Sequence, residues 1–558
     1  MTLKTRYTVF VLYIELWFDL LRSPLRVFFW KLSHELSGHF ICFRVTDQKE
    51  INMTLSRRFV FKTIFGGTAA VATLAVTQAK QLRAPEQKWD DVVDIIVIGG
   101  GAAGLAAISV AAQRGLKVTL FEKQPMVGGS SALCGGMIAV AGTEDIPQLD
   151  YDQIPLLDKD SAELFVKDLI TSGGGLCNQA LAEAYVKEVL EQYQWLTTDL
   201  GLKPDAIVLQ GGQSVPRSHH FDVSRVLMGM MKFAKEHGAV IALNSRVERL
   251  VWADDFSKIA GVLVKDKSGE KYVRARKGVL LCAGGFSRNP EMLGKYNPPL
   301  KQAAVISGAG TQGDGILMGL SVGADMLDTA YIKATYGFKL NPVSIDEMTQ
   351  IYWSGAIIVN KDARRFVDES ISYKKISDYA LAQPEGKSWI IFDQAMLERD
   401  YKTNPQGRVL WKPVLEEGKL PAYLYRGNTI EDVARAAGLD GKALAETVKR
   451  YNGFVDLGRD TDYGRQTMAS TSGKLVKIEN GPFYAFPATA AMIATYCGLR
   501  IDSSCQVVDV YGDIIPGLWA AGEMTGGFHG AGYISGTAFA KAQAFGRIAA
   551  KSMASQAD

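Results

Sequence analysis

Hydrophobic and polar positions alternate between two kinds of period along this chain. VDIIVI (93–98) is a short, continuous apolar run, the pattern of a strand covered on both faces in a parallel sheet. LAAISVAAQRG (105–115) is small and apolar and reads as a helix, and KVTLFEK (117–123) is a second strand. The same alternation returns later. LLCAGGFSRN (280–289) predicts a strand and then a glycine turn, and GTQGDGILMGLSVGA (310–324) a glycine turn and then a helix. DIIPGLWAAGEMTGGFHGAGYISGTAFAKAQAFGRIAA (513–550) predicts strand, turn and helix. VSRVLMGMMKFAKEHG (223–238) is a further helix. Between these lie mixed segments such as AIIVNKDARRFVDESISYKKISDYALAQ, with no second nucleotide signature.

The turn between the first strand and helix is G-x-G-x-x-G at Gly99, Gly101 and Gly104. The first glycine permits the tight turn, the second a close approach of backbone to a pyrophosphate, and the third close helix–strand packing. Glu122 ends the second strand, where a carboxylate accepts a hydrogen bond from an adenosine ribose and disfavours a 2′-phosphate. Strand, turn, helix, strand and acid in order make a dinucleotide site. The loop QPMVGGSSALCGGMIAVAGT (124–143) follows at once and can wrap a pyrophosphate and lie along a flavin. The helix start near the C-terminal end can give backbone donors to the flavin carbonyl edge. A site drawn from both chain ends fits FAD, which is long. The expected cofactor residues are Gly99, Gly101, Ala102, Ala103 and Gly104; Glu122 and Lys123; Gly129, Ser130, Ser131, Gly135, Gly136 and Met137; Val247; Ala283, Gly284 and Gly285; Asp314; and Gly522, Glu523, Gly536, Thr537 and Ala538.

Composition narrows the rest. At 558 residues, two domains are the least to expect. A formal charge of +3 gives no argument for nucleic acid. None of the 6 cysteines sits in a C-x-x-C pair, so zinc, iron–sulfur and haem attachment spacings are missing, and no metal is expected. Electrons would therefore pass to or from a separate carrier. SRRFVFK (56–62), then TIFGGTAAVATLAVTQA (63–79), resembles a twin-arginine export signal. Its apolar run is too short and too rich in Gly, Ala and Thr to argue for membrane integration. We expect a signal over 53–79, cleavage near Lys80, a periplasmic product, and residues 1–52 as an extension upstream of a start at Met53.

On these motifs the chain resembles the FAD-dependent oxidoreductase 2 superfamily, the fumarate reductase flavoproteins and 3-ketosteroid dehydrogenases. The resemblance covers residues 91–555. It implies an α/β fold, a Rossmann-like FAD-binding domain (91–330 and 478–558) interrupted by an α+β capping domain (331–477), with chemistry where they meet. Against the fumarate reductase pattern several polar features are replaced. Thr335 stands for a substrate-binding histidine, Tyr373 for the proton-donating arginine, Thr349 and Tyr352 for relay groups, and Tyr533 for a clamp arginine. IATYCGL lacks that family's histidine pair. A small dicarboxylate needs charge-assisted partners, so fumarate itself is disfavoured.

The replacements resemble the ketosteroid branch, which implies oxidation of a CH–CH bond, or reduction of C=C, beside a carbonyl. Hydride transfer to flavin N5 requires that the neighbouring carbon lose a proton, and the carbonyl makes that proton acidic. Tyr373 is expected as the base, Tyr484 of GPFYAF as the carbonyl's donor, and Tyr533 and Tyr496 as assisting groups, with Lys374 or Lys375 lowering a tyrosine pKa. The bland reading is that these are packing aromatics. RSHHF (217–221) keeps open an alternative, a flavoprotein for another carboxylate, with Arg217 and Arg547 as anion partners and His219 facing substrate. A non-enzymatic FAD relay is the third reading.

Overall fold

The computed structural model describes residues 89–144, 160–340, 343, 347–469 and 473–556. The expected extension (1–52) and export signal (53–79) lie outside them. The first strand, Asp91–Ile98, is central in an eight-stranded sheet. It pairs in parallel with Val118–Phe121 on one side and Gly269–Leu281 on the other, with Ile95 opposite Val118 and Val97 opposite Leu280. Ile514–Ala520 pairs in parallel beyond Gly269–Leu281, so the sheet joins strands from both ends of the chain. Ile95, Ile96 and Val97 are fully buried, as continuous apolar runs in a doubly covered sheet require.

Small residues set how tightly the layers close. In the helix Ala102–Gln113 nearly every residue is buried. A Cβ added at Gly104 would lie 2.0 Å from the Gly99 carbonyl oxygen. The last helix, Thr537–Ala554, presses on the other side, where a Cβ at Gly546 would lie 2.2 Å from the Ala103 carbonyl oxygen. This contact holds the C-terminal helix beside the first glycine turn.

The capping segment forms a six-stranded sheet. Its spine is Phe483–Met492, which pairs with Ala304–Val305, Thr335–Lys339, Ser388–Asp393 and Tyr425–Gly427. That spine lies beyond residue 477, where the sequence reading places the return to the FAD domain. Ile357–Val359 extends the sheet beside Ser388–Asp393.

A buried ionic cluster ties down the segment before the helix Tyr373–Leu381. Arg365 binds Glu369 through two hydrogen bonds of 2.8 and 2.7 Å and Asp460 through one of 2.8 Å. Glu369 also accepts from the Ile358 amide at 3.1 Å, which fixes the loop to the sheet. Removing one partner of a buried pair of this kind costs about 3–5 kcal/mol. Ser372 then caps the helix through the Lys374 amide, so Tyr373 is held at its first position. No helix among the described residues is long and apolar enough to cross a membrane, and no cluster of metal-ligating side chains occurs among them.

Candidate active site

The cofactor cradle is built from backbone. Gly101 heads the helix Ala102–Gln113 with no side-chain cap, and a Cβ placed there would meet no protein atom nearer than 3.7 Å. Gly99 is different: φ is +107°, and a Cβ would come 2.4 Å from the Cys282 carbonyl oxygen. The turn is therefore tight at its start and open at its middle. Ser131 accepts from the Ala102 amide at 3.2 Å, and Ser130 accepts from the Gly308 amide at 3.1 Å, which folds the serine loop back on the turn. Glu122 accepts from the Gly100 and Gln124 amides at 2.7 and 2.8 Å, holding its carboxylate at the end of its strand. Beside it, Lys123 pairs with Asp314 at 2.5 Å. Both line a cavity of about 520 Å³ with Gln124, Arg246 and Asn289. Val247 is buried in the strand Arg246–Trp252, next to Arg246, and Met137 pairs opposite His220.

The second half of the cradle comes from the C-terminal region. Glu523 accepts from the Thr495 amide at 2.9 Å, and burial raises its carboxyl pKa against that bond and one from the Gly285 amide. A side chain at Gly285 would strike that carboxylate, at 2.2 Å, so the Ala283–Gly285 turn closes on Glu523. Gly536, at φ +85°, heads the helix Thr537–Ala554 without a side-chain cap. Thr537 spends its hydroxyl on the Ile534 carbonyl at 2.6 Å. His529 is buried, its Nε2 has no partner, and burial with Lys541 and Lys374 nearby holds its pKa well below the usual value. Two helix starts without side-chain caps, a strand-end carboxylate held by two amides and an orphaned imidazole nitrogen fit FAD.

Tyr373, Ser535, Tyr496, Tyr533 and Lys374 gather where the helix Tyr373–Leu381 meets the C-terminal turn. The Tyr373 hydroxyl shares a hydrogen bond of 3.1 Å with Ser535. Tyr496 and Tyr533 lie with ring centroids 4.9 Å apart, and both pack on His529. Lys374 enters from the Tyr373 helix. Its Nζ donates to Thr335 Oγ1 at 2.6 Å and lies 4.5 Å from the Tyr496 ring centre, 5.9 Å from that of Tyr373 and 6.0 Å from that of Tyr533. Desolvation pulls its pKa down to about 7, resisted by Glu523 and Asp378. Burial pushes the Tyr373 hydroxyl up to about 12, against the Ser535 bond. Tyr496 and Tyr533 are also raised by burial, and backbone donors at Ala538 and Gly536 oppose the rise for Tyr533. At neutral pH this is a cluster of protonated hydroxyls around an amine poised between charged and neutral.

Not every expected residue joins it. Tyr484 donates to Gln394 at the start of the helix Gln394–Thr403 at 2.8 Å and stacks on Phe392 of the capping sheet, contacts shared with none of the cluster. Arg217 is buried, but Asp160 and Asp168 each hold its guanidinium at 2.6 Å. Arg547 is taken by Glu188 at 2.7 Å. The His219 ring bonds Thr143 and the Arg217 carbonyl, and Asp222 caps its helix through the Arg225 amide. Ser535 went unread in the sequence, although it stands two residues after Tyr533 in GYISG. Lys374 was expected, with Lys375 as the alternative, to lower a tyrosine pKa, yet Tyr373 is raised by burial and opposed only by the Ser535 bond.

Comparison with known proteins agrees with this architecture. The family described as an FAD binding domain matches residues 94–538. A probable fumarate reductase of Shewanella frigidimarina is 31% identical over 507 residues, covering 87% of this chain and 81% of that protein. Among solved structures, the open conformation of a flavocytochrome c3 fumarate reductase superposes with a TM-score of 0.68 at 29% identity, covering 91% of this chain and 82% of that one. The 3-ketosteroid-Δ4-(5α)-dehydrogenase of Rhodococcus jostii, in complex with 4-androstene-3,17-dione, gives 0.66 at 26% identity, covering 85% and 99%. Both branches of the resemblance thus recur, and the match spans the glycine turn, the cap and the C-terminal helix start together. The chain belongs to the FAD-dependent oxidoreductase 2 superfamily, as an enzyme that takes FAD as cofactor and acts on C=C or CH–CH bonds.

Proposed function

We propose that this enzyme interconverts a C–C single bond and a C=C bond beside the carbonyl of a ketone, with a substrate of steroid-like shape. The observation that carries the reading is the Tyr373–Ser535 bond beside Tyr496 and Tyr533, with the two candidate arginines committed to carboxylates elsewhere. The hydride at the carbon β to the carbonyl would be supplied or accepted by FAD when it is bound. The chain's residues handle the proton at the α carbon. In the reducing direction Tyr373 gives its hydroxyl proton to that carbon, and Ser535 stabilises the oxygen left behind. In the oxidising direction the same oxygen takes the proton back. A group kept protonated by burial suits the donor role. Tyr496 and Tyr533 shape the space and order the hydroxyl network. This reading gives Tyr484, bonded to Gln394, no part in the reaction.

The test is turnover by the FAD-loaded protein of 3-oxo steroids with a dye acceptor, and of the matching enones and a panel of enoates with reduced viologen. Turnover on ketones alone supports the proposal, and turnover confined to enoates overturns it. The second reading, reduction of an unsaturated carboxylate, is favoured by the 31% identity with a probable fumarate reductase. In either case we propose an external electron carrier and, from SRRFVFK, export to the periplasm. N-terminal sequencing of the native protein should find a start near Lys80; an uncleaved N-terminus in a cytoplasmic fraction defeats the export proposal.

A further inference from the structure

Lys374 is 6% exposed. No carboxylate lies within 4 Å of its Nζ among the described residues, unlike the buried cations Arg365, Arg217 and Arg547. The nearby acids are otherwise engaged. Asp378 is paired with Lys333, and Glu523 holds the Thr495 amide. Among the described residues the one hydrogen bond made by the amine is to Thr335 Oγ1, and the rings nearest to it are the faces of Tyr496, Tyr373 and Tyr533. A cation buried without a counter-charge is costly, and an oxygen acceptor arriving with substrate removes that cost. Tyr496 and Tyr533 are only partly buried, so the cluster borders accessible space. Tyr484, the group expected to hold the substrate oxygen, is bonded to Gln394 instead.

We infer that Lys374 is a catalytic residue that, set in place by Thr335, receives the substrate's sp² oxygen conjugated to the reacting C=C bond. The inference rests on the function proposed above for its substrate class. That oxygen gains negative charge as the proton leaves the α carbon. An ammonium held in a dry site stabilises that charge far better than one in water. Tyr373, the preceding residue on the same helix, is then placed to serve the carbon while Lys374 serves the oxygen. The oxygen belongs either to a ketone or to a carboxylate, and two probes separate these sources: 4-nitrophenolate for an enolate-like single oxygen and benzoate for a carboxylate.

The experiment titrates FAD-loaded full-length protein with each probe, reading the phenolate absorbance and the perturbation of the flavin spectrum. Lys374→Met should weaken binding of the preferred probe by about 10²–10³-fold, the scale on which one preorganised donor to an oxyanion acts. Thr335→Val should weaken it less. Lys375→Met, exposed on the same helix, should leave it unchanged. Equal affinity in wild type and Lys374→Met, with flavin content intact, overturns the role of Lys374. If Lys374→Met does not hold FAD, Thr335→Val decides, and unchanged affinity there overturns the inference. Preference for benzoate, lost in the Lys374 variant, keeps Lys374 in its role and sinks the ketone reading alone.

Discussion

At the scale of single residues, the proposed chemistry falls to two neighbours on one helix. Tyr373→Phe should retain FAD, because the cradle lies elsewhere, and should lose about 10²–10⁴ in rate, the worth of a positioned acid or base. Exchange of the substrate α proton into deuterated solvent should fall with turnover; exchange that survives intact assigns the proton to another group. Lys374 makes a stability prediction as well. Its pKa falls from 10.5 to about 7 on burial, so between those values the unfolded chain binds a proton that the native state does not. Stability contributed at this site therefore rises with pH from about 7 toward 10.5, by up to about 1.4 kcal/mol per pH unit. Lys374→Met should be the more stable protein at pH 7, with the gap to wild type closing on alkaline titration. Comparing urea midpoints of the two proteins across that range checks it, and a constant gap refutes the buried-amine account. Tyr373 was legible because RRFVDESISY places it by motif. Lys374 was not, since its importance comes from Thr335 and Tyr496, which are brought to it only by the fold.

At the scale of elements, the glycines were the most legible part of the sequence, because each answers a backbone demand. Gly99 and Gly104 were readable from spacing, and the structure shows the contacts that forbid a side chain there. Gly546 carries no motif. Its reason is the C-terminal helix crossing Ala103, a contact between segments over four hundred residues apart. Gly546→Ala should push that helix off the first one and cost about 1–3 kcal/mol, as overpacking of a closed contact does. It should also loosen FAD, since Gly536 and the donors behind it ride on the same helix. A thermal melt and a flavin titration read both effects; a variant unchanged in both shows that the helices yield freely. The capping boundary was harder to read. Phe483–Met492 is apolar and lies next to the C-terminal FAD segment, yet it joins four strands of the capping sheet. Which sheet a short apolar strand enters is a long-range choice that its own residues do not encode.

At the scale of the whole molecule, the cradle draws the two ends of the described chain together, with Glu122 from one and the Gly536 helix start from the other. FAD binds only where both are folded, so it is linked to global stability. At a free FAD concentration 100 times its Kd the native state gains about 2.7 kcal/mol over the cofactor-free protein. The unfolding midpoint should therefore climb as FAD is added. Glu122→Ala removes the ribose-side carboxylate that the Gly100 and Gln124 amides hold in place. Its Kd should rise, and its midpoint should climb less at the same FAD concentration. Tyr373→Phe, whose contacts lie in the catalytic cluster, should climb like wild type. The three titration curves distinguish a cofactor site built from the glycine turn from one that depends on the substrate pocket. If Glu122→Ala tracks wild type while Tyr373→Phe falls short, the cradle is assigned to the wrong residues.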